Sequence, residues 1–92
     1  MDFEWDERKA AQNVAKHGVP FAYVARVFLD PHRLDFEDRR RDYHETRRLV
    51  LGKIEGRVFV VAYTWRGEYT RIISARKANN REQRQYHETL PA

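Results

Sequence analysis

The residues best suited to chemistry lie in one basic segment near the carboxyl end of the chain, residues 71–86. Its cations are Arg71, Arg76, Lys77, Arg81 and Arg84. Ser74 and Arg76 share a face of a predicted strand, because side chains alternate along a strand with period two. Cations gathered where a strand ends and a helix begins can bind a phosphodiester and stabilise the charge of its transition state. The competing interpretation is a solvated corner in which Glu82 only caps a helix.

Two residues are candidates for moving a proton at such a site. Tyr86 follows Arg81 by about one helical turn, so it could present its phenol to the same place. His17 ends the first predicted helix, and histidine is the natural acid or base near neutral pH. His17 also has a structural explanation, since a cation is favourable at a helix C-terminus.

Other catalytic chemistries are poorly supported. The four histidines lack metal-ligand spacing, and Ser74, the only serine, lacks the glycine-flanked elbow of serine hydrolases. A magnesium site is conceivable at the acidic residues Asp35, Glu37, Asp38 and Asp42. Arginines 39–41 alternate with these carboxylates and would pair with them on a solvated loop. The sequence therefore predicts neither a metal nor a cofactor.

Charge is distributed unevenly along the 92 residues, whose formal net charge is +4. Residues 1–38 hold five basic and eight acidic side chains, whereas residues 39–92 hold 13 basic and six acidic ones. Most of the cations are arginine, which suits bidentate contact with phosphate. An anionic partner such as nucleic acid is therefore expected.

The size and the residue types predict one domain, 1–92, in a reducing compartment. The chain contains no cysteine, so disulfides and thiolate metal sites are excluded. Residues 1–4 lack the basic and apolar regions of a signal peptide, and no apolar run reaches the length of a membrane span. We expect a cytoplasmic protein without a membrane partner.

Hydrophobic spacing and turn residues predict an α+β fold. Helices are expected at residues 6–17 and 20–29, and a short strand at 33–37 leads into a polar loop. Period-two patterns then predict an antiparallel meander of strands 47–53, 57–65 and 68–75, before a last helix at 80–89. We thus expect two N-terminal helices packed on a small antiparallel sheet, followed by a C-terminal helix.

Four groups of residues together resemble the BrnT toxin family, and the likeness runs through nearly the whole chain. They are Phe3-Glu4-Trp5-Asp6 with Lys9-Ala10, Asn13 with Lys16-His17-Gly18-Val19, Val27-Phe28-Leu29-Asp30-Pro31, and Arg71 to Ala78 with Arg81-Glu82 and Tyr86. The resemblance implies a toxin of a bacterial type II toxin-antitoxin module, similar to the RelE group of small ribonucleases. It also implies a partner, BrnA, a small DNA-binding antitoxin through which the pair reaches its operator DNA.

The resemblance further implies RNA cleavage without a metal, by attack of the substrate's own 2′-hydroxyl, so that translation is inhibited by cutting mRNA. By this resemblance, we expect Arg76 and Lys77 to bind the scissile phosphate as clamps. Arg71, Arg81 and Arg66 are further candidates for substrate binding. Tyr86 and His17 compete for proton transfer.

Two other functions fit the same residues. A non-catalytic module that binds RNA or DNA would explain the charge and the aromatic residues equally well. A subunit that mainly binds another protein would explain the segregation of charge but not the basic corner at residues 71–86.

Overall fold

The computed structural model describes residues 1–91, which form five strands, two α-helices of two or more turns, one single-turn helix and a 3₁₀ segment. In chain order they are β1 (Asp2–Glu4), α1 (Glu7–His17), α2 (Phe21–Val24), a 3₁₀ helix (Ala25–Leu29), β2 (Leu34–Glu37), β3 (Arg48–Ile54), β4 (Arg57–Arg66), β5 (Tyr69–Lys77) and α3 (Asn80–Glu88). The predicted α+β class is confirmed. None of the helices among residues 1–91 is long and apolar enough to cross a membrane.

The five strands form one sheet in the order β1-β5-β4-β3-β2. Neighbouring strands from β2 to β5 are antiparallel, whereas β1 pairs parallel with β5. The prediction of a purely antiparallel sheet is therefore wrong at this edge. The three residues of β1 are too few to show the period-two pattern of a strand, and β5 lies far away in the sequence. No local pattern therefore predicts that the two strands pair.

Local signals mark both ends of α1, close to the predicted range 6–17. The Asp6 carboxylate accepts hydrogen bonds from the backbone N–H groups of Arg8 and Lys9, and Gly18 ends the helix in the left-handed region at φ 70°. Only glycine adopts that conformation without steric cost. The predicted helix over 20–29 is shorter, because after Val24 the chain tightens into the 3₁₀ segment, a common ending for a helix.

The second half of the chain forms the three long strands, β3, β4 and β5, and helix α3. Residue Ile73 of β5 has no partner on β4, since Ala62 pairs with Ser74 and Tyr63 pairs with Ile72. This bulge shifts the alternation of side chains along β5. A capping box begins α3: Asn79 accepts from the Glu82 N–H, and the Glu82 carboxylate accepts from the Asn79 N–H.

The sheet has two faces, each with its own core. One face packs on α2 and the 3₁₀ segment and buries Val24, Val27, Val50, Val61 and Ile72. The opposite face, which we call the α3 face, buries Leu51, Val58, Val60, Ala78 and Tyr86. α3 covers only part of this second face. The part next to it is left open and forms the candidate site.

Candidate active site

A basic groove lies on the α3 face of the sheet, with a volume of about 340 Å³. Cationic side chains and one histidine line it: Lys16, His17, Arg40 and Arg76. Its floor is formed by Leu49, Val60 and Ala62, with Ser74 beside them. A second depression of about 250 Å³ shares Lys16, His17 and Ser74 with the groove and extends towards Lys9. The two depressions therefore adjoin and are lined by shared basic side chains.

Helix α1 reaches this groove because it lies along the edge of the sheet. β1 pairs with β5 only as far as Arg71, so the edge of β5 beyond that residue lacks a strand partner. Asn13 takes the place of a strand there: its amide donates to the Ala75 carbonyl at 2.9 Å and its oxygen accepts from the Ala75 N–H at 3.0 Å. Asn13 also donates to the Val19 carbonyl at 2.8 Å. One turn later, Lys16 and His17 stand over the α3 face.

Arg76 is held in the groove by a bidentate ion pair. Its two terminal nitrogens donate to the two carboxylate oxygens of Glu82 at 2.7 and 2.8 Å. Hydrogen bonding to Arg76 lowers the pKa of Glu82 despite its burial, with smaller contributions from the Asn79 N–H and the charge of Arg40. The side chain of Arg76 remains 37% exposed, so its guanidinium is fixed in place and still accessible to a ligand.

Arg40 enters the same groove from the loop between β2 and β3. It is bound by Asp38, whose side chain is almost fully buried. The sequence predicts that residues 39–41 lie on a solvated loop and that their arginines pair with neighbouring carboxylates. Those pairs are present, since Arg39 binds Glu37 and Arg40 binds Asp38. Arg40 also lines the same groove as Arg76, which the sequence did not predict, because nothing in the run of three arginines distinguishes Arg40 from its neighbours.

The groove can bind and polarise an anion. Two fixed guanidinium groups and a lysine ammonium supply charge and hydrogen-bond donors for phosphate oxygens. His17 adds an imidazole ring, the side chain that most often acts as a general acid or base in enzymes. Lys16 was not singled out as a site residue from the sequence, although it stands next to His17 at the same helix end.

The structure places the other predicted cations elsewhere. Arg71 lies on the same side of the sheet, since it pairs with Thr64, but it faces Glu4 at 3.6 Å. Lys77 is exposed and pairs with Phe59, which puts it on the opposite face from Arg76. Arg81 is exposed in the first turn of α3, and Arg66 is exposed at the far end of β4. None of these four lines the groove.

Tyr86 is separated from Arg76 although both lie on the α3 face. Its ring is 2% exposed, and its hydroxyl donates to the Asp30 carboxylate at 2.5 Å. Burial, together with this hydrogen bond to an anion, raises the pKa of Tyr86 to about 12. Asp30 also accepts from the backbone N–H groups of His32 and Lys53. This contact joins α3 to the rest of the fold in a different depression from the basic groove.

Three of the four acidic residues considered for magnesium are bound by an arginine, and two of these three also by a phenol: Asp35, Glu37 and Asp38. Asp35 accepts from Arg48 at 2.6 Å and from the Tyr63 hydroxyl. Within residues 1–91, no three histidine, aspartate or glutamate side chains come together as a metal site would require. The acidic part of the loop is thus organised by arginine pairing.

A sequence model of one protein family matches the chain over residues 5–82, and its description reads "Ribonuclease toxin, BrnT, of type II toxin-antitoxin system". The chain belongs to the BrnT family. The match includes all the groove-lining residues, from Lys16 to Arg76. A search of curated proteins found no match.

Membership of the BrnT family implies a substrate class and a kind of partner for the chain. A ribonuclease toxin acts on RNA, and a type II system supplies a protein antitoxin as partner. The matched region contains four of the five strands, β2 to β5, and stops within α3, at Glu82. In this BrnT chain Glu82 is the carboxylate that holds Arg76, so the Arg76–Glu82 pair lies inside the family region.

Proposed function

We propose that this chain is a metal-independent endoribonuclease that cuts RNA in the basic groove, with Arg76 as its central phosphate clamp. One observation carries the proposal: a partly exposed arginine, locked by Glu82, shares an open groove with His17. The fold is RelE-like, with one domain over residues 1–92. The sequence also suggested Lys77 as a clamp, but its position on the other face leads us to assign that role to Arg76 and not to Lys77.

The groove chemistry follows from the charges that develop during cleavage. Attack of the substrate's 2′-oxygen on the adjacent phosphorus forms a phosphorane whose oxygens carry more negative charge than the ground state. Guanidinium donors already aimed at that position stabilise the added charge without reorganising at the moment of reaction. Because Glu82 fixes Arg76 beforehand, little conformational freedom is lost when the phosphate binds.

Proton transfer is assigned to His17. In its neutral form the imidazole takes the proton of the 2′-hydroxyl as the new bond to phosphorus forms, and the leaving 5′-oxygen takes a proton from water in the open groove. Tyr86 is the other candidate, but its hydroxyl is committed to Asp30 and its pKa is about 12, which suits a structural role better. Lys16 binds a neighbouring phosphate.

The cellular role follows from the family. We infer that cleavage of mRNA in the cytoplasm inhibits translation, and that a BrnA-type DNA-binding antitoxin neutralises the toxin. Operator DNA is then bound only by the complex. Expression with and without the neighbouring reading frame tests this, since growth arrest relieved by the neighbour supports it, and indifference to the neighbour contradicts it.

The nuclease proposal is tested with a defined RNA in the presence of EDTA. We expect products that end in a 2′,3′-cyclic phosphate and a 5′-hydroxyl, and no cutting where the 2′-hydroxyl is replaced by hydrogen. Arg76→Ala and His17→Ala should each reduce the rate by roughly 10²-fold or more, the usual size for a transition-state donor or a general base.

Arg57→Ala is the matched control, because Arg57 is an exposed arginine at the β3–β4 turn outside the groove. It should cut like the unmodified protein. Cleavage abolished by EDTA and restored by Mg²⁺ would contradict the metal-free mechanism. Salt-dependent binding without any product would instead favour the non-catalytic RNA-binding module.

A further inference from the structure

We propose that Arg40 is a second substrate-contacting cation of the groove, and that Asp38 is its positioning residue, the buried carboxylate that aims it at the scissile phosphate. This inference rests on the proposed ribonuclease function and extends it to a loop outside the segment 71–86. It also gives a role to the acidic cluster of residues 35–42, which the catalytic proposal leaves unused.

Asp38 is unusual among the acidic residues of the loop because it is buried. Its side chain is 2% exposed, whereas those of the neighbouring Glu37 and Asp42 are 38% and 82% exposed. A buried carboxylate is costly unless every oxygen is hydrogen-bonded. Asp38 accepts from Arg40 through the backbone N–H at 3.2 Å, Nε at 2.8 Å and Nη2 at 2.9 Å, and from the Tyr43 hydroxyl at 2.8 Å.

The loop is folded around this carboxylate. The Asp38 N–H donates to the Arg47 carbonyl at 2.7 Å, which closes the base of the loop. The guanidinium of Arg47 lies 4.3 Å from the centre of the Tyr43 ring. This cation–π contact helps to hold Tyr43, whose hydroxyl donates to Asp38. Asp38 therefore presents a fixed carboxylate, from which the orientation of Arg40 follows.

Arg40 itself stays available to a ligand. Its side chain is 67% exposed, and Asp38 binds only its Nε and Nη2 edge, which leaves the Nη1 hydrogens outside the pair. An ion pair with an exposed arginine contributes little to stability. We therefore infer that the buried carboxylate of Asp38 serves to orient Arg40. Arg40 and Arg76 line the same groove, each held by its own carboxylate.

Pairing each arginine with a carboxylate solves a problem of charge. Two guanidinium groups in one groove repel each other: hydrogen bonding to Glu82 raises the pKa of Arg76, and the charge of Arg40 opposes that rise. The carboxylates of Asp38 and Glu82 offset this repulsion while no substrate is bound. Arg40 and Arg76 can then both donate hydrogen bonds to one phosphodiester, and their mutual repulsion does not destabilise the folded protein before the substrate binds.

The neighbouring arginines supply matched controls. Arg39 is 83% exposed and binds Glu37, and Arg41 lines a separate depression with Asp42 and Tyr43. Neither lines the basic groove. Arg39→Ala and Arg41→Ala remove the same charge from the same loop without removing the proposed contact.

The experiment measures RNA cleavage and binding for Arg40→Ala, Asp38→Asn and the double variant. We expect Arg40→Ala to lower kcat/KM by about 10²-fold, and Asp38→Asn by about 10-fold. In the Arg40→Ala background, Asp38→Asn should cause no further loss, because Asp38 acts through Arg40. Additive losses, or an Arg40→Ala rate equal to that of Arg39→Ala, would overturn the proposal.

Two further readouts separate positioning from folding and from failure of the nuclease proposal. Arg40→Lys keeps the charge but not the bidentate pair, so in that background the rate should be insensitive to Asp38→Asn even if the thermal midpoint falls. Binding of a 2′-O-methyl RNA, which cannot be cut, should lose about one unit of salt slope in Arg40→Ala but not in Arg57→Ala. If that slope is unchanged, the Arg40 contact is wrong, and if it changes without any cleavage by the unmodified protein, only the nuclease proposal is wrong.

Discussion

The side-chain amide of Asn13 forms hydrogen bonds with both backbone polar groups of Ala75. Ala75 lies between Ser74 and Arg76, and Asn13 lies one turn before His17. This single side chain therefore sets the position of the end of α1 relative to the strand that carries Arg76. The geometry of the groove depends on it.

Replacing Asn13 should destabilise the protein strongly. In Asn13→Leu the buried N–H and carbonyl of Ala75 lose their partner, at a cost of about 3 kcal/mol in the free energy of unfolding. Urea unfolding measures the loss. Gln12→Ala, an exposed change on the same helix, should shift the free energy by less than about 0.5 kcal/mol. Equal effects of the two changes would contradict the role given to Asn13.

Replacing Gly52 should also destabilise the fold, through steric overlap. A Cβ at Gly52 would lie 2.7 Å from the Val27 Cβ and 2.9 Å from the Val27 carbonyl oxygen, so β3 and the 3₁₀ segment would have to separate. Gly52→Ala should cost about 2 kcal/mol or more. The thermal midpoint checks this, with Arg57→Ala as the surface comparison. An unchanged thermal midpoint would show that the 3₁₀ segment can move away from β3 without loss of stability.

The hydroxyl of Tyr86 should stabilise the fold up to alkaline pH. Its pKa is raised to about 12, above the ordinary value of 10.0, so its contribution is complete below pH 10 and declines as the pH rises towards 12. Tyr86→Phe should cost about 2 kcal/mol at neutral pH, the scale of a hydrogen bond to a charged group. The gap between the two proteins should narrow above pH 10 in denaturant titrations.

Tyr69→Phe is the control for that titration, since Tyr69 is 49% exposed and forms none of the side-chain hydrogen bonds found within residues 1–91. RNA cleavage by the Tyr86 variant then distinguishes the two proton-transfer candidates. Cleavage retained in Tyr86→Phe and lost in His17→Ala supports His17, and the reverse pattern supports Tyr86.

Glu82→Gln should separate the helix cap from the ion pair. Glutamine can still accept from the Asn79 N–H, so the start of α3 is preserved while the charge facing Arg76 is lost. Because the pKa of Glu82 is lowered in the folded state, its stabilisation is present above the ordinary value of 4.5 and is lost as the pH falls through the folded value. The unmodified protein should be more stable than the variant by about 1 kcal/mol at pH 7, and the two should converge in acid.

Cleavage kinetics give the second measurement on the same variant. With Arg76 less firmly held, kcat should fall by several fold, while the circular dichroism spectrum stays unchanged. Gln83→Ala, a change at the next residue of α3, should leave kcat unaffected. A fully active Glu82→Gln would show that Arg76 does not need its carboxylate.

Local patterns in the sequence determined most of the elements of secondary structure, with β1 and the extent of α2 as exceptions. Asp6 and Gly18 mark the ends of α1, and Asn79 with Glu82 marks the start of α3, because these signals act through hydrogen bonds within a few residues. The period-two runs likewise located β3, β4 and β5, since alternation depends on nearest neighbours. The cluster of family motifs was also visible without a structure and led to the BrnT family.

Only the tertiary structure decided which of the candidate residues share a site. The bulge at Ile73 brings Arg71 to the same side as Arg76, and it arises from pairing with β4, which no property of β5 alone reveals. Tyr86 is buried and hydrogen-bonded to Asp30, so it lies outside the groove. Asp38 binds Arg40, which alone of the three adjacent arginines lines the groove. These outcomes depend on contacts between residues far apart in the chain, and the energies of those contacts are set by burial and geometry rather than by spacing along the sequence.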